Sequence, residues 1–379
     1  MGRYAYLPLE RVIFGQPAAQ AAAEEAERIG ARRVFIVASK TLSRSTDSIS
    51  EIRQALGARY AGLFDECVAH TPWPSVIAAA DAVRAAAPDL ILTVGGGTPI
   101  DTVKILQLAL AHGARAPQDL ERLTAAALKQ AKPSPVRQIA VPTTLSGAEF
   151  SNLGGGTDPR TRLKHGFSGA DIGPRAVILD PALTLHTPEW LWLSTGVRGV
   201  DHAVEALCSL DAHPYCDGLA LHALRLFAEQ LPRSRAAPGD LGARLACQQA
   251  SWLAASTIAR VNYGASHGIG HALGGAAGVP HGYTSCIMLP HVMRYNLPAT
   301  APKQALIAAA LGQPGMPAAD AVAALIASLG QPATLRAAGV ARELLPAIAE
   351  GAMKNPWVRA NPQPIRSSAD VMRLLEAAW

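Results

Sequence analysis

The sequence contains few aromatic and few charged residues, and it lacks any long uncharged apolar run. Aromatic residues make up 5% and charged residues 17% of its 379 positions, whereas 49% are apolar. An apolar content this high excludes a disordered chain. No apolar run reaches the roughly 18 residues of a membrane span, and residues 1–14 lack the basic stretch and apolar core of a signal peptide. We therefore expect a cytoplasmic, globular protein without a membrane partner.

Cysteines and clusters of basic residues are also scarce. The five cysteines are odd in number and form no CxxC pair, which argues against a disulfide framework or a zinc ribbon. The net charge is +5, but Lys and Arg are scattered and form no block of five or six, so nucleic acid is not an expected partner. We expect a small-molecule substrate and a homodimer.

Short apolar runs alternate with alanine-rich helical stretches in the first half of the chain. The length predicts two domains. Strand–helix alternation predicts a parallel sheet with flanking helices, and continuous apolar runs are typical of strands buried on both faces. From about Glu189 onward only helical periodicity is found. The sequence therefore predicts an α/β domain over 1–183 and an all-α domain over 184–379. The predicted strands are 34–37, 90–94, 139–141 and 176–179, and the predicted helices of the first half include 18–29 and 75–87.

A glycine-rich turn follows the second of these strands. Gly95, Gly96 and Gly97 allow the backbone to approach a bulky anion. We expect Thr98 to be the N-cap and Pro99 the first residue of the following helix. Helix N–H groups and the helix dipole then favour a phosphate at the turn. An ordinary tight turn is the alternative, and the segment does not have the GxGxxG spacing.

A second polar turn, PTTLSGAE, follows the third predicted strand. Its hydroxyl groups, on Thr143, Thr144 and Ser146, are suited to ribose or phosphate. Serine, threonine and glycine are also ordinary turn residues, so this signal alone is weak.

Four histidines fall into two groups with helical spacing. His202 lies four residues after Arg198 on a helix predicted to begin near Thr195, and His271 lies four residues after His267, so each pair shares a helix face. His281 follows in a predicted turn, and such a group can form a metal site or a polar cavity. A hydrogen-bonded, half-buried histidine is the common alternative, and we assign it to His291.

These motifs resemble those of the iron-type alcohol dehydrogenases. GGGTPIDTVK resembles their GGGSxxDxAK nucleotide motif, STGVRGVDHAVEALCS their TGxDAxxHAxEA helix, and SHGIGHALGGAAGVPHG their HxxxHxLGGxxxxPHG signature. The resemblance runs from RVIFG to the C-terminus and implies the dehydroquinate synthase-like, iron-type alcohol dehydrogenase fold. PTTLSGAEF, the segment 70–72 and the C-terminal ending resemble the maleylacetate reductase branch.

One departure from the family pattern concerns the metal. Metal-dependent members use an Asp four residues before the first histidine, and here that position is Arg198. The resemblance assigns the other three ligand positions to His202, His267 and His281. An arginine repels a dication, and Asp201 lies about 100° further round the helix than His202. We therefore expect no Fe or Zn. The alternative is a metal held by the three histidines alone.

The resemblance implies reversible hydride transfer between NAD(P)H and a small carbonyl or maleylacetate-like oxoacid, in a cleft between the domains. His271 would donate the proton, and Arg198 would polarise a carbonyl or bind a carboxylate. Ser39 and Lys40 replace the acid that selects NADH, so we expect NADPH to be used at least as well. The implied cofactor-binding residues are Ser39, Lys40, Gly95, Gly96, Gly97, Thr98, Asp101, Thr143, Thr144, Ser146, Lys164 and Leu183.

Three other functions remain open at this point. The first is a metal-dependent alcohol dehydrogenase, and the second is a lyase like dehydroquinate synthase that uses the cofactor transiently. The third is a scaffold that binds the cofactor without catalysis. The intact nucleotide and histidine motifs argue against the scaffold.

Overall fold

The computed structural model describes residues 4–161 and 163–379. The chain divides into two compact units, the first ending at Thr187 and the second beginning at Pro188. Sequence reasoning placed this boundary after residue 183. None of the helices in the described ranges is both long and apolar enough to cross a membrane.

The first unit is built on a six-stranded parallel sheet in the order β1-β8-β5-β4-β2-β3, as the sequence predicted for its fold class. Its strands are β1 (Arg11–Phe14), β2 (Val34–Ala38), β3 (Tyr60–Phe64), β4 (Leu90–Gly95), β5 (Arg137–Pro142) and β8 (Ala176–Leu179). A separate antiparallel hairpin pairs β6 (Leu153–Asp158) with β7 (Leu163–Ser168). Five helices complete the unit: α1 (Ala18–Ile29), α2 (Lys40–Ser45), α3 (Ser48–Leu56), α4 (Trp73–Ala86) and α5 (Gly97–Ala111).

Alternation along the central strands explains why both faces of the sheet are covered. Successive side chains of a strand point to opposite faces. Val34 and Ile36 of β2 pack in one hydrophobic cluster with α1 and α3, whereas Phe35 and Val37 pack in another with α4 and α5. A strand buried on both faces requires the uninterrupted apolar run that the sequence shows.

The second unit contains helices and no strand within its described residues, as predicted. The helices are α6 (Glu189–Cys208), α7 (Pro214–Ala236), α8 (Leu241–Ala255), α9 (Ala265–Ala277), α10 (His281–Ala310), α11 (Ala318–Ser328), α12 (Leu345–Ala352), α13 (Pro356–Arg359) and α14 (Ser368–Ala377). Apolar residues of α9, α10, α12 and α14 form one shared core.

Two helix starts in this unit differ from the prediction. The helix predicted near Thr195 begins at Glu189, directly after Pro188, and Thr195 lies inside it with its hydroxyl donating to the Leu191 carbonyl at 2.7 Å. His281 is the first residue of α10 and not part of a turn, while His291 lies within the same helix. In both places the N-cap is a proline, with φ −52° at Pro188 and −53° at Pro280, and the fixed φ of proline is compatible with the start of a helix.

Candidate active site

The carboxyl ends of β2, β4 and β5 bring together the predicted phosphate-binding residues of the first unit. The Ser39 N–H donates to the Val94 carbonyl at 3.0 Å, and the Thr143 N–H donates to the Gly95 carbonyl at 3.0 Å. These bonds hold the three strand ends side by side, with Ser39 and Thr143 flanking the glycine turn. Carboxyl ends of parallel strands are the usual ligand-binding edge of such sheets.

Close packing explains why the turn needs glycine. A Cβ on Gly96 would lie 2.9 Å from Thr144 Cγ2, and a Cβ on Gly97 would lie 3.1 Å from Ser146 Oγ. The Thr144 hydroxyl in turn donates to Ser146 Oγ at 3.2 Å. The two polar turns identified in the sequence therefore form one surface.

A single residue, Gly96, separates β4 from helix α5, so the predicted N-cap is wrong. Its N-cap is Gly96, so Thr98 and Pro99 lie within the first turn and are neither N-cap nor first helical residue. The flexible glycines permit this tight passage from strand to helix. Gly96 has no side chain to cap the helix, so the first N–H groups have no cap from that residue. This uncapped helix start beside a glycine cradle fits a phosphate group.

Predicted cofactor residues also surround Gly155 of the hairpin. Asp101 Oδ2 accepts the Gly155 N–H at 3.0 Å, and a Cβ on Gly155 would lie 3.0 Å from Lys164 Nζ. Asp101 thus attaches α5 to the hairpin that carries Lys164. The Leu183 side chain, by contrast, is buried in the hydrophobic core of the unit and not at this surface.

The region after β2 contains carboxylates that the sequence reasoning missed. Ser39 and Lys40 carry none themselves, but Lys40 Nζ lies 3.3 Å from Glu66 Oε2. Arg44 binds Glu66 as well and pairs with Asp65 at 2.9 Å. Carboxylates therefore lie beside Lys40, because β3 pairs with β2 and brings its following residues alongside.

Arg198 lies at the centre of a buried polar network in the second unit. Its Nη1 donates to Ser285 Oγ at 3.0 Å, and its Nη2 donates to His281 Nε2 at 3.1 Å. Ser285 Oγ donates in turn to Asp201 Oδ2 at 2.6 Å. Burial lowers the pKa of Arg198, but Asp201 and Glu205 oppose that effect. The guanidinium is thus a buried cation that lies 3.9 Å from Asp201 Oδ2 and is also linked to this carboxylate through Ser285.

Glu205 orients the first histidine of the later motif. Its Oε2 accepts His267 Nδ1 at 2.7 Å, and the backbone N–H groups of Gly264 and Ser266 donate to the same carboxylate at 3.1 and 2.8 Å. His267 therefore presents Nε2 on the opposite side of its ring. That nitrogen is buried and has no hydrogen-bond partner among the described residues.

His202 lies against His267 of α9. The two rings stack with centroids 4.9 Å apart, and Tyr263 stacks on His202 at 5.6 Å. Burial, and then the positive charges of His267 and Arg198, hold the pKa of His202 well below its usual range. Burial alone would raise the pKa of Asp201, but His267 and Arg198 lower it.

His271 and His281 form a second pair of rings. Their planes are 3° from parallel with centroids 5.3 Å apart, and Trp357 packs against His271 at 5.2 Å. Asn355 Nδ2 lies 3.1 Å from His271 Nδ1. The structure thus places all five predicted catalytic residues, Arg198, His202, His267, His271 and His281, in one network of contacts.

Of the three predicted metal ligands, His202 Nδ1 and His267 Nε2 are buried without a hydrogen-bond partner among the described residues, whereas His281 is engaged by Arg198. His281 Nε2 accepts from the Arg198 guanidinium, which can only donate, so its lone pair is already used. Asp201, Glu205 and His267 also place three possible ligand atoms within 4.8 Å of one another. Those atoms are already bonded among themselves and to Ser266 and Ser285. An ion at either place would have to displace a buried cation or break these bonds.

Ser285 and Asn355 are among the network residues that sequence reasoning missed. Ser285 had no local signal, because only the packing of α10 on α6 brings it to Arg198. Asn355 had one, since an Asn directly before Pro356 is typical of a helix N-cap, but nothing in the sequence linked it to His271.

Comparisons with known proteins cover both units. The family model described as iron-containing alcohol dehydrogenase matches residues 9–181, and the model of the C-terminal part of the Fe-containing alcohol dehydrogenase family matches residues 192–379. Dehydrogenase ALT3 of Alternaria alternata is 35% identical over 372 residues, covering 88% of this chain and 95% of the relative. Maleylacetate reductase of Rhizobium sp. (strain MTP-10005) is 31% identical over 370 residues, covering 97% and 95%.

Solved structures agree with these relatives. The crystal structure of maleylacetate reductase from Rhizobium sp. strain MTP-10005 has a TM-score of 0.84 at 30% identity and covers 100% of this chain and 98% of its own. The structure of a 1,3-propanediol oxidoreductase has a TM-score of 0.90 at 29% identity and covers 100% of both chains.

Proposed function

The chain belongs to the iron-containing alcohol dehydrogenase family, and we propose that it reduces the carbonyl group of a small oxoacid with NAD(P)H and without a metal ion. It is an NAD(P)H oxidoreductase of the maleylacetate reductase-like branch.

The observation that carries the proposal is the buried Arg198. It occupies the position of an acidic metal ligand and donates to His281, one of the remaining three. Among the described residues, the guanidinium donates hydrogen bonds to Ser285 and His281 and lies 3.9 Å from Asp201 Oδ2. A guanidinium has five N–H donors, so others are left for a substrate oxygen. A fixed cation can stabilise a developing oxyanion or bind a carboxylate through two parallel hydrogen bonds.

The two units divide the work of the reaction. The glycine turn and the hydroxyls of Thr144 and Ser146 bind the pyrophosphate, and Lys164 contacts the cofactor near its ribose and nicotinamide end. When bound, NAD(P)H supplies the hydride. In the second unit, His271 donates to the oxygen of the carbonyl, and Arg198 stabilises negative charge on the substrate.

A substrate panel tests this function. The protein is incubated with NADH or NADPH and a set of aldehydes, oxoacids and maleylacetate. An oxidoreductase consumes cofactor in proportion to substrate, a lyase turns over substrate without net consumption, and a scaffold does neither. Cofactor consumption with oxoacids but not with simple aldehydes supports the proposal. Consumption with simple aldehydes but not with oxoacids contradicts it.

Elemental analysis tests the metal. We expect purified protein to contain Fe, Zn and Mn well below stoichiometric amounts and to keep its activity after dialysis against EDTA. A stoichiometric metal whose removal abolishes activity would instead support the alternative in which His202, His267 and His281 hold it.

Cofactor choice follows from the charges after β2. Ser39 carries no carboxylate to repel a 2′-phosphate, and Lys40 supplies a cation, although Glu66 faces it at 3.3 Å. We propose that NADPH is used at least as well as NADH, and that Glu66 limits the preference. The specificity constants for the two cofactors measure this directly.

A further inference from the structure

His271 is held through Nδ1 by a side chain whose own orientation is determined. Asn355 is the N-cap of α13, and its Oδ1 accepts the Trp357 N–H at 3.0 Å. Its Nδ2 therefore faces His271 Nδ1, 3.1 Å away. Flipping the amide would place its NH₂ group against the Trp357 N–H and lose the cap, so the backbone selects this orientation.

This orientation determines which ring nitrogen of His271 carries the proton. An amide NH₂ group only donates, so His271 Nδ1 must accept with its lone pair. The neutral ring then has its hydrogen on Nε2. The imidazolium form would place an N–H at Nδ1, directly against the Asn355 donor, and is disfavoured.

Charged side chains of both signs lie on the helices around His271. On the neighbouring helices, α6 carries Arg198, Asp201, His202 and Glu205 and α10 carries His281, while His267 precedes His271 on α9. Arg198 is a cation bonded to His281 Nε2, which by the same argument keeps the proton of a neutral His281 on Nδ1. The ring of His281 stacks in parallel on His271, whereas the carboxylates of Asp201 and Glu205 lie against His267.

We propose that Asn355 is a positioning residue that holds His271 as a neutral imidazole whose Nε2–H is a hydrogen-bond donor to the substrate oxygen. This inference rests on the proposed function and refines it, because His271 then polarises the carbonyl rather than releasing a proton. The hydride and its electron pair form the new C–H bond, and the C=O π electrons move to the oxygen. The resulting alkoxide is held by Nε2–H and takes its proton from water, which leaves hydroxide.

Nitrogen NMR of histidine-labelled protein tests the tautomer without using activity. We assign the His271 signals by their loss in His271→Ala. We expect a neutral ring protonated at Nε2 at pH 7 in the wild type. A ring protonated at Nδ1, or an imidazolium, would overturn the proposal.

Two variants separate positioning from helix capping. Asn355→Asp keeps an oxygen acceptor for the Trp357 N–H. Its second carboxylate oxygen accepts a hydrogen bond from His271, so the neutral ring then carries its proton on Nδ1. Asn355→Ser keeps a cap with a side chain too short to hold the ring. If Asn355 only caps α13, both variants behave like the wild type.

Kinetics give the second readout. We expect wild-type kcat for reduction to change less between about pH 6 and 8 than that of Asn355→Asp. Asn355→Asp should lower kcat roughly 100-fold at pH 8, the loss of one oxyanion donor, and recover as the pH falls, because the imidazolium regains Nε2–H. KM for the cofactor should not change. An Asn355→Asp variant with wild-type kcat and a flat profile would contradict the inference.

Failure of this inference and failure of the proposed function are distinguishable. If the substrate panel shows no cofactor consumption, the proposed function fails whatever the tautomer. If oxoacids cause cofactor consumption but the neutral ring of His271 is protonated at Nδ1, the proposed function stands and only the role of Asn355 is wrong.

Discussion

Glu149 gives the sharpest test of how the first unit is stabilised. It lies in the short helical turn after β5, is 1% exposed, and its Oε2 has no hydrogen-bond partner among the described residues. Burial raises the pKa of Glu149 from 4.5 to about 7, although Lys104 partly opposes this. We predict that Glu149→Gln makes the unit more stable above pH 7.

The magnitude follows from the difference between the folded and unfolded pKa. Below the unfolded pKa the carboxyl group is protonated in both the folded and the unfolded state, so it costs the fold nothing. As the pH rises from the unfolded to the folded pKa, the unfolded state loses its proton first, and the free energy of unfolding falls. Moving the pKa of Glu149 from 4.5 to about 7 corresponds to roughly 3 kcal/mol. Lys104 keeps Asp101 at 3.4 Å as a counter-ion, so the substitution does not leave it without a nearby anion.

Native-state hydrogen exchange provides the assay, because the free energies of two units cannot be taken from one unfolding curve. Exchange of amides in β4 and β5 gives the stability of the first unit in wild type and in Glu149→Gln. The difference between the two proteins near pH 4.5 serves as the baseline. By pH 8 the variant should be more stable by up to roughly 3 kcal/mol. Glu343→Gln, at an exposed position, is the control without this dependence. A difference between wild type and Glu149→Gln that stays constant across this pH range would refute the reasoning.

Three further predictions concern the site. His271→Ala should lower kcat roughly 100-fold with cofactor affinity nearly unchanged, and an unchanged kcat would return this histidine to a purely structural role. Arg198→Asp should acquire stoichiometric zinc or iron, seen by elemental analysis, whereas equal metal content in both proteins would show that the arginine does not exclude the ion. Ser39→Asp should shift the ratio of specificity constants towards NADH, and Glu66→Gln towards NADPH. A wild-type preference for NADH above about tenfold, roughly 1.4 kcal/mol, would rule out the 2′-phosphate contact.

The strands that were missed show where local pattern stops being informative. β1 is four residues long and largely unburied, and β3 contains a glycine and is half-buried along its length. Both lie at the edges of the sheet, where a strand needs no continuous apolar run. β6 has the sequence LGGGTD, and glycine-rich segments are depleted in strands. Its pairing with β7 is what makes it a strand.

The site shows the same limit. Helical spacing correctly grouped Arg198 with His202 and His267 with His271, because residues four apart share a face. It did not reveal that Arg198 bonds to His281 rather than His202, or that Asn355 holds His271. The chain separates these partners by more than 80 residues in each case, and no short-range pattern carries that information.

The sequence alone determined the order of elements, the fold class, the glycine turn and the histidine group. These depend on periodicity, on residues with special backbone freedom and on motifs contained in short segments. Only the tertiary structure decided the edge strands, the carboxylates beside Lys40 and the hydrogen-bond partners of Arg198 and His271. Those features depend on which segments pack together, and a buried donor or acceptor takes its role from whichever partner that packing supplies.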